Sequence, residues 1–143
     1  MNMKRIDRYM HDHLEESLAE LSEYCAQPSV AAQDLGMEEA AEMTAELLRK
    51  RGFEVEIMPT PGHPVVLAER KGITDKTLLF YNHYDVQPPE PLDLWISPPF
   101  EPARRGDKLF ARGVSDDKGH FVGRLLAIDA ILDQAGELPC NIK

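Results

Sequence analysis

The sequence predicts an α/β fold: a three-layer sandwich in which a mixed, mostly parallel sheet carries helices on both faces. Three observations predict it. Apolar residues recur at helical spacing in three separate stretches. Between the second and third of these, short segments alternate apolar and charged residues, as half-exposed strands do. Residues 77–82, TLLFYN, then form an apolar run that suits a strand buried on both faces.

The first helical stretch covers residues 4–25, with Ile6, Tyr9, Met10, Leu14, Leu18, Leu21 and Cys25 as its apolar stripe. Pro28 ends the segment. His11 and His13 lie two apart, so a helix does not bring them to one face. Solvent exposure is expected for both, with no metal role. Residues 36–51 form the second helix, with Met37, Ala40, Ala41, Leu47 and Leu48 inward, Lys50 and Arg51 favouring its C-terminal dipole, and Gly52 as the stop. Phe53, Val55 and Ile57 alternate with Glu54 and Glu56 as a strand. Pro59 to Gly62 is a turn, and His63 beside it is a lone loop histidine with no metal role. Residues 65–68 form a further strand.

Beyond the apolar run, residues 87–102 hold Pro88, Pro89, Pro91, Pro98, Pro99 and Pro102. Such a loop is stiff and loses little entropy when fixed. Trp95 and Phe100 are expected to pin it to the body. Arg105-Gly106-Asp107 reads as the turn of a hairpin between residues 100–104 and 109–112. The third helix runs from about 117 to 135, with Phe121, Leu125, Ile128 and Leu132 inward and Gly136 as its stop. Residues 139–142 look like the opening of another strand, whose free backbone groups invite pairing with another molecule.

Composition excludes several classes. The 143 residues carry 16 basic and 25 acidic side chains, a net charge of −9, which argues against a nucleic-acid-binding surface. No stretch approaches the roughly 20 apolar residues of a membrane span, and the charged N-terminal segment does not read as a secretion signal. Cys25 and Cys140 lack metal or redox spacing and are expected to be buried thiols of a cytoplasmic protein. A thiol hydrolase built on either lacks a histidine nearby in sequence.

The chemistry concentrates where the apolar run ends. Residues i and i+2 of a strand share a face, so His83 and Asp85 point the same way if the backbone stays extended. A carboxylate beside an imidazole fixes its tautomer and raises its basicity, as around a metal-bound histidine. Taken alone, the same pair reads more simply as a hydrogen bond closing a strand. Asp116 stands before the third helix, where an aspartate or Ser115 can simply be an N-cap. Asp117, in the first turn, favours the helix dipole.

Taken together, these segments are more specific. His83-Tyr84-Asp85-Val86-Gln87-Pro88 at a strand end, Trp95-x-x-x-Pro99-Phe100, and Arg112-Gly113-x-x-Asp116-Asp117-Lys118-Gly119 entering a helix resemble the zinc-dependent dipeptidase and aminoacylase family of metallopeptidases. That family includes carnosinase-type dipeptidases, acetylornithine deacetylase, succinyl-diaminopimelate desuccinylase and glutamate carboxypeptidase. Gln27-Pro28-Ser29-Val30 also fits its pattern, and Ala111 departs from it where glycine is commoner.

The resemblance implies a zinc-peptidase-like sandwich of which residues 1–143 are the N-terminal portion of the catalytic domain, with the dimerisation (lid) domain absent. It implies that His83 binds one zinc, that Asp85 holds the His83 ring as a catalytic residue, and that Asp116 bridges two zinc ions, cobalt or manganese being able to replace them. The Asp116–Asp117 peptide is expected to be cis. The family's glutamate base and remaining ligands lie later in its chains, so this chain alone is expected to be inactive. The intact protein is expected to be a homodimeric amide hydrolase acting on a dipeptide or N-acyl amino acid, without nucleic-acid or membrane partners. The rival is a non-catalytic paralogue or interaction module that keeps the fold.

Overall fold

A computed structural model describes residues 2–143. The first apolar stripe forms two helices, α1 (Met3–Asp12) and α2 (Leu14–Ala26), where a single one was expected. The break falls at His13, whose ring nitrogen Nδ1 lies 2.9 Å from the Tyr9 carbonyl oxygen and whose ring stacks on Tyr9 at 3.9 Å between centroids. The ring thus shares the Tyr9 carbonyl with the His13 backbone N–H, which donates to it at 3.0 Å, and such side-chain bonds compete with the regular ladder. No glycine or proline marks the spot.

Helix α3 (Met37–Arg49) turns Met37, Ala40, Ala41, Ala45 and Leu47 inward, close to expectation. The strands β1 (Glu54–Met58) and β2 (Val65–Glu69) form an antiparallel hairpin with Val55 opposite Ala68. Then come β3 (Thr77–Leu78), the proline-rich loop, and the short hairpin β4 (Ala103–Arg105) and β5 (Lys108–Phe110). Helix α4 (Lys118–Ala135) follows, ended by Gly136 at φ 73°, a left-handed conformation that glycine adopts without strain. Strand β6 (Asn141–Ile142) completes the described elements.

The pairing makes one mixed sheet. β6 runs parallel to β3, with Thr77 opposite Asn141 and Leu78 opposite Ile142. On its other side Ile142 pairs antiparallel with Arg70, just past β2, through reciprocal bonds of 2.9 Å. The spatial order is therefore β1-β2-β6-β3.

The α/β class holds, and three details depart from the sequence reading. The sheet is mixed but not mostly parallel, since β3–β6 is the only parallel pair among the described residues. Among those residues the helices cover one face only. Phe53, Ala68, Leu138 and Ile142 pack with Ile128 of α4, while Leu21, Tyr24, Cys25, Leu47, Val122 and Leu125 form the core between α2, α3 and α4. The run at 77–82 is not buried: Leu79 is 71% and Tyr81 83% exposed. Its apolar character matches a strand covered on both sides, a cover that the described residues do not supply. No helix is long and apolar enough to cross a membrane.

Candidate metal centre

The site is built where three segments meet. The extended chain leaving β3 carries Asn82, His83 and Asp85. The turn before α4 carries Asp116 and Asp117. The turn after α2, residues 27–30, holds the other two in place. Ser29, fully buried, donates its hydroxyl to the Tyr84 carbonyl at 2.7 Å, and its own carbonyl accepts the Val86 N–H at 2.8 Å. Lys118, also fully buried, donates to the carbonyls of Tyr24 at 2.9 Å and Gln27 at 2.7 Å, and its ammonium lies 4.7 Å from the centre of the Tyr24 ring. The last carbonyls of α2 thus find a cation, as helix C-termini favour, and the start of α4 is tied to the same turn that grips the His83 segment.

Two glycines allow this closeness. A Cβ on Gly119 would stand 1.9 Å from the Val114 carbonyl oxygen. At Gly113, where φ is 90°, a Cβ would meet Val86 at 2.9 Å and the Lys118 stem at 3.3 Å.

The structure brings His83, Asp85 and Asp116 together. His83 Nδ1 lies 3.1 Å from an Asp85 carboxylate oxygen and 3.0 Å from the Asp85 carbonyl. His83 Nε2 lies 2.9 Å from Asp116 Oδ1. Both ring nitrogens face acceptors, so the ring is best satisfied with a proton on each. Burial disfavours that charge, but the Asp85 carbonyl and the Asp85 and Asp116 carboxylates outweigh it and raise the His83 pKa. The Asp116–Asp117 peptide is cis, as the family resemblance led us to expect.

Asp117 does more than favour a helix dipole. It occupies the N-cap position of α4, the place expected of Ser115 or Asp116, yet its side chain makes no capping bond. Its Oδ2 accepts from the Asn82 amide at 2.5 Å and from the His83 N–H at 3.4 Å, and its Oδ1 lies 2.7 Å from His120 Nδ1. Burial pushes its carboxyl up, but these partners prevail and hold it below the usual range. Arg124 in turn donates to Asn82 Oδ1. Asn82, Asp117, His120 and Arg124 therefore frame the site, and nothing in the spacing singled out Asn82, His120 or Arg124.

The other candidates are not bonded to this group. His11 is exposed, His13 is stacked on Tyr9, and the His63 ring lies 3.2 Å from the Ala31 carbonyl, on the wall of a cavity that His83 and Asp85 also line. Cys25 is buried as expected, but Cys140 is only half-buried, because it lies in the short link between α4 and β6. Burial pushes the Cys25 thiol up to about 11, which disfavours the thiolate a nucleophile needs. Trp95 pins the proline-rich loop: its indole N–H donates to the Pro89 carbonyl at 2.8 Å, and the Arg112 guanidinium sits 5.2 Å over its ring.

The donor chemistry suits a divalent metal. An imidazole nitrogen and a carboxylate oxygen are ordinary zinc ligands. The Asp116 side chain is 74% exposed, so it can turn toward an ion. Asp85 already holds the far side of the ring, as outer-shell carboxylates do. Among the described residues, however, no group of three or more histidines, cysteines, aspartates or glutamates converges on one point.

Comparison with known proteins gives the arrangement its relatives. The model of Peptidase family M20/M25/M40 matches residues 79–143, the stretch that carries His83, Asp85 and Asp116. The succinyl-diaminopimelate desuccinylase of Janthinobacterium sp. (strain Marseille) is 36% identical over 116 residues, 81% of this chain. The chain belongs to the M20 family of peptidases. Two M20-like folds among solved structures agree. An M20 family metallo-carboxypeptidase, Sso-CP2 from Sulfolobus solfataricus, superposes with a TM-score of 0.84 at 42% identity over 89% of this chain and 29% of its own. Human carnosine dipeptidase 1 superposes with a TM-score of 0.90 at 28% identity over 99% of this chain and 33% of its own. This chain spans about a third of the length of the M20 relatives it matches, 30% in the case of the desuccinylase.

Proposed function

We propose that this chain is the N-terminal portion of the catalytic domain of a zinc-dependent hydrolase that cleaves the amide bond of a dipeptide or N-acyl amino acid. The observation that carries the reading is the His83 ring held between Asp85 and Asp116 at hydrogen-bonding distance on both nitrogens. His83 and Asp116 would hold the metal, and Asp85 would orient the ring. A pair of such ions, zinc or cobalt or manganese in its place, supplies polarisation of the scissile carbonyl and activation of water when bound. The residues of this chain do the positioning. Asp85 fixes which ring nitrogen faces the ion, Asp117 holds the backbone of His83 and the Asn82 amide, and Ser29 and Lys118 anchor the segments that carry them.

Two donors are fewer than the roughly three protein ligands of a catalytic zinc, and a general base is needed to take the proton from water. The proposal therefore includes that residues 1–143 alone do not turn over substrate, and that the intact protein has further acidic ligands, a glutamate base and a dimerising second domain. It also places the intact protein in the cytoplasm. The relatives named as desuccinylase, carboxypeptidase and dipeptidase support the substrate class.

The rival, a non-catalytic module that keeps the fold, draws on the lack of a three-donor cluster among the described residues. One experiment separates them. The intact protein, stripped of metal and reloaded with zinc, is assayed on a panel of dipeptides and N-acyl amino acids. Zinc-dependent release of free amino acid is expected. No release from any member of the panel, with metal bound in stoichiometric amount, rejects the hydrolase reading.

A further inference from the structure

His83 and Asp116 come from segments 33 residues apart, yet one carboxylate adjoins both. Asp117 follows Asp116 directly in the chain, and its Oδ2 accepts the backbone N–H of His83 at 3.4 Å. The same oxygen takes the Asn82 amide at 2.5 Å, and Oδ1 faces His120 Nδ1 at 2.7 Å. A carboxylate has roughly four acceptor sites, so three are in use. With 13% of its side chain exposed, Asp117 has little left to offer an ion.

Asn82 is held from its other end as well. Arg124 donates to its Oδ1 and, at 3.5 Å, to the Tyr81 carbonyl, while the guanidinium lies 5.3 Å from the centre of the Phe80 ring. Asp117, His120 and Arg124 stand at i, i+3 and i+7, one face of a helix. Every residue from Phe80 to His83 thus touches Asp117 or Arg124, and the segment that carries the imidazole is fastened to the start of α4. The separation this fixes is close to what a metal requires. His83 Nε2 and Asp116 Oδ1 are 2.9 Å apart. Zinc bonds of about 2.0–2.2 Å at a tetrahedral angle set a nitrogen and an oxygen donor about 3.4 Å apart. The difference, about 0.5 Å, is the tolerance within which a binding constellation has to be held. Asp85 does not set this spacing, since it bonds the far side of the same ring. Ser29 bonds the Tyr84 carbonyl and does not reach Asp116. Asp117 is joined to one donor residue by a peptide bond and to the other by a hydrogen bond.

We infer that Asp117 is a positioning residue for the metal centre: its bond to Asn82, backed by Arg124, sets the separation of His83 and Asp116 before an ion arrives. The inference rests on the metal-site reading above, and it places Asp117 outside the ligand set.

The test uses the intact protein and two readouts: zinc titration by calorimetry, and crystal structures of the metal-free protein. Asp117→Asn keeps the size of the side chain but leaves one oxygen where the partners now use two. It should weaken zinc binding about 10–100-fold, as loss of an outer-shell partner does, with the number of zinc ions bound unchanged. In the metal-free structure His83 Nε2 and Asp116 Oδ1 should move out of hydrogen-bonding distance. Asn82→Asp sets two carboxylates against each other and should weaken zinc at least tenfold. Joined in one protein, the two changes restore an amide–carboxylate pair and should recover affinity to within about tenfold of wild type, which a purely structural loss would not do. If Asp117→Asn does not fold, Asn82→Ala, which removes the amide donor and leaves the carboxylate, decides on the same readouts. Zinc affinity within twofold of wild type in the single variants overturns the inference. So does loss of a bound zinc in Asp117→Asn, which would make Asp117 a ligand, or a double variant no better than the weaker single one. A wild-type protein that takes up no zinc refutes the metal reading instead, and the metal-free separations then decide the positioning role alone.

Discussion

Lys118 donates to the carbonyl oxygen of Tyr24 at 2.9 Å from a side chain wholly removed from water. The contact joins the first turn of α4 to the last turn of α2, and it places an ammonium where lysine is seldom found. Burial pushes the Lys118 pKa down to about 8 from 10.5. Below pH 8 both folded and unfolded chains carry the proton, and the folded one bears the full cost of the buried charge. Above 8 the folded chain sheds it first, so stability rises with pH. Cys25, beside it, acts oppositely. Its thiol is raised to about 11 from 9.0, so the unfolded chain ionises first and stability falls between those values. The expected profile climbs from pH 8 to 9 and flattens above. In Lys118→Met the climb should vanish, leaving a decline from pH 9, and loss of partners for two buried carbonyls should cost about 1–3 kcal/mol at neutral pH. Urea midpoints measured across pH 7–11 check both parts, and an unchanged climb in the variant rules out this origin.

Much of the scaffold was legible from spacing. The stripes of α3 and α4, the β1–β2 alternation and the Gly106 turn follow from local patterns that tertiary context did not override. The break at His13 was hidden because its cause is a side chain bonding to its own helix, not a proline or glycine. The exposure of Leu79 and Tyr81 was hidden because an apolar run reports what a strand needs, not what the described residues supply. At the site, His83, Asp85 and Asp116 could be picked out by residue type and by resemblance. Ser29 and Lys118 stand in the segments that carry the resemblance, but their anchoring role was hidden, since a serine after a proline and a lysine at a helix start both read as surface. Their partners lie 55 and 94 residues away.

Ser29→Ala tests that anchoring. It removes the hydroxyl that bonds the Tyr84 carbonyl and leaves the backbone bond to Val86 in place. A loss of about 1 kcal/mol in unfolding free energy is expected, read from urea titration. In the intact protein the same change should raise the zinc dissociation constant several-fold by loosening the His83 segment. Loss of stability without change in zinc affinity would confine Ser29 to folding.

Gly119→Ala asks whether the turn before α4 can give way. The added methyl would sit 1.9 Å from the Val114 carbonyl oxygen, which is backbone and not a movable tip. Destabilisation of about 3 kcal/mol or more is expected, at the upper end of ordinary single-site effects. Gly123→Ala, where nothing lies within 4 Å, serves as the control and should be neutral or mildly stabilising. Equal thermal midpoints for the two variants would mean the α4 entry shifts freely.

The intact protein separates the two partners of His83. His83→Ala should remove zinc and activity together, since the imidazole is the proposed ligand. Asp85→Asn keeps an oxygen 3.1 Å from the ring but loses the charge that raises its basicity, and a 10–100-fold loss of activity with a smaller change in metal content is expected. Metal analysis beside turnover distinguishes the roles, and wild-type turnover in either variant rejects the assignment.

Proton and metal should compete for the same nitrogen. With the His83 pKa raised by Asp85 and Asp116 against the opposing pull of burial, the ring keeps its protons to higher pH than an ordinary histidine. In the apo chain that raised value stabilises the fold at acid pH and is lost as pH rises through it. A zinc ion must displace the Nε2 proton, so affinity should fall as pH drops through the raised value and plateau above it. For the 143-residue chain, with two donors in place, binding should be weak throughout. Calorimetry from pH 6 to 8 in buffers of different ionisation heat reads both affinity and protons released. Tight binding of two zinc ions per chain, or binding with no proton release on the acid side, would show that this imidazole is not the ligand.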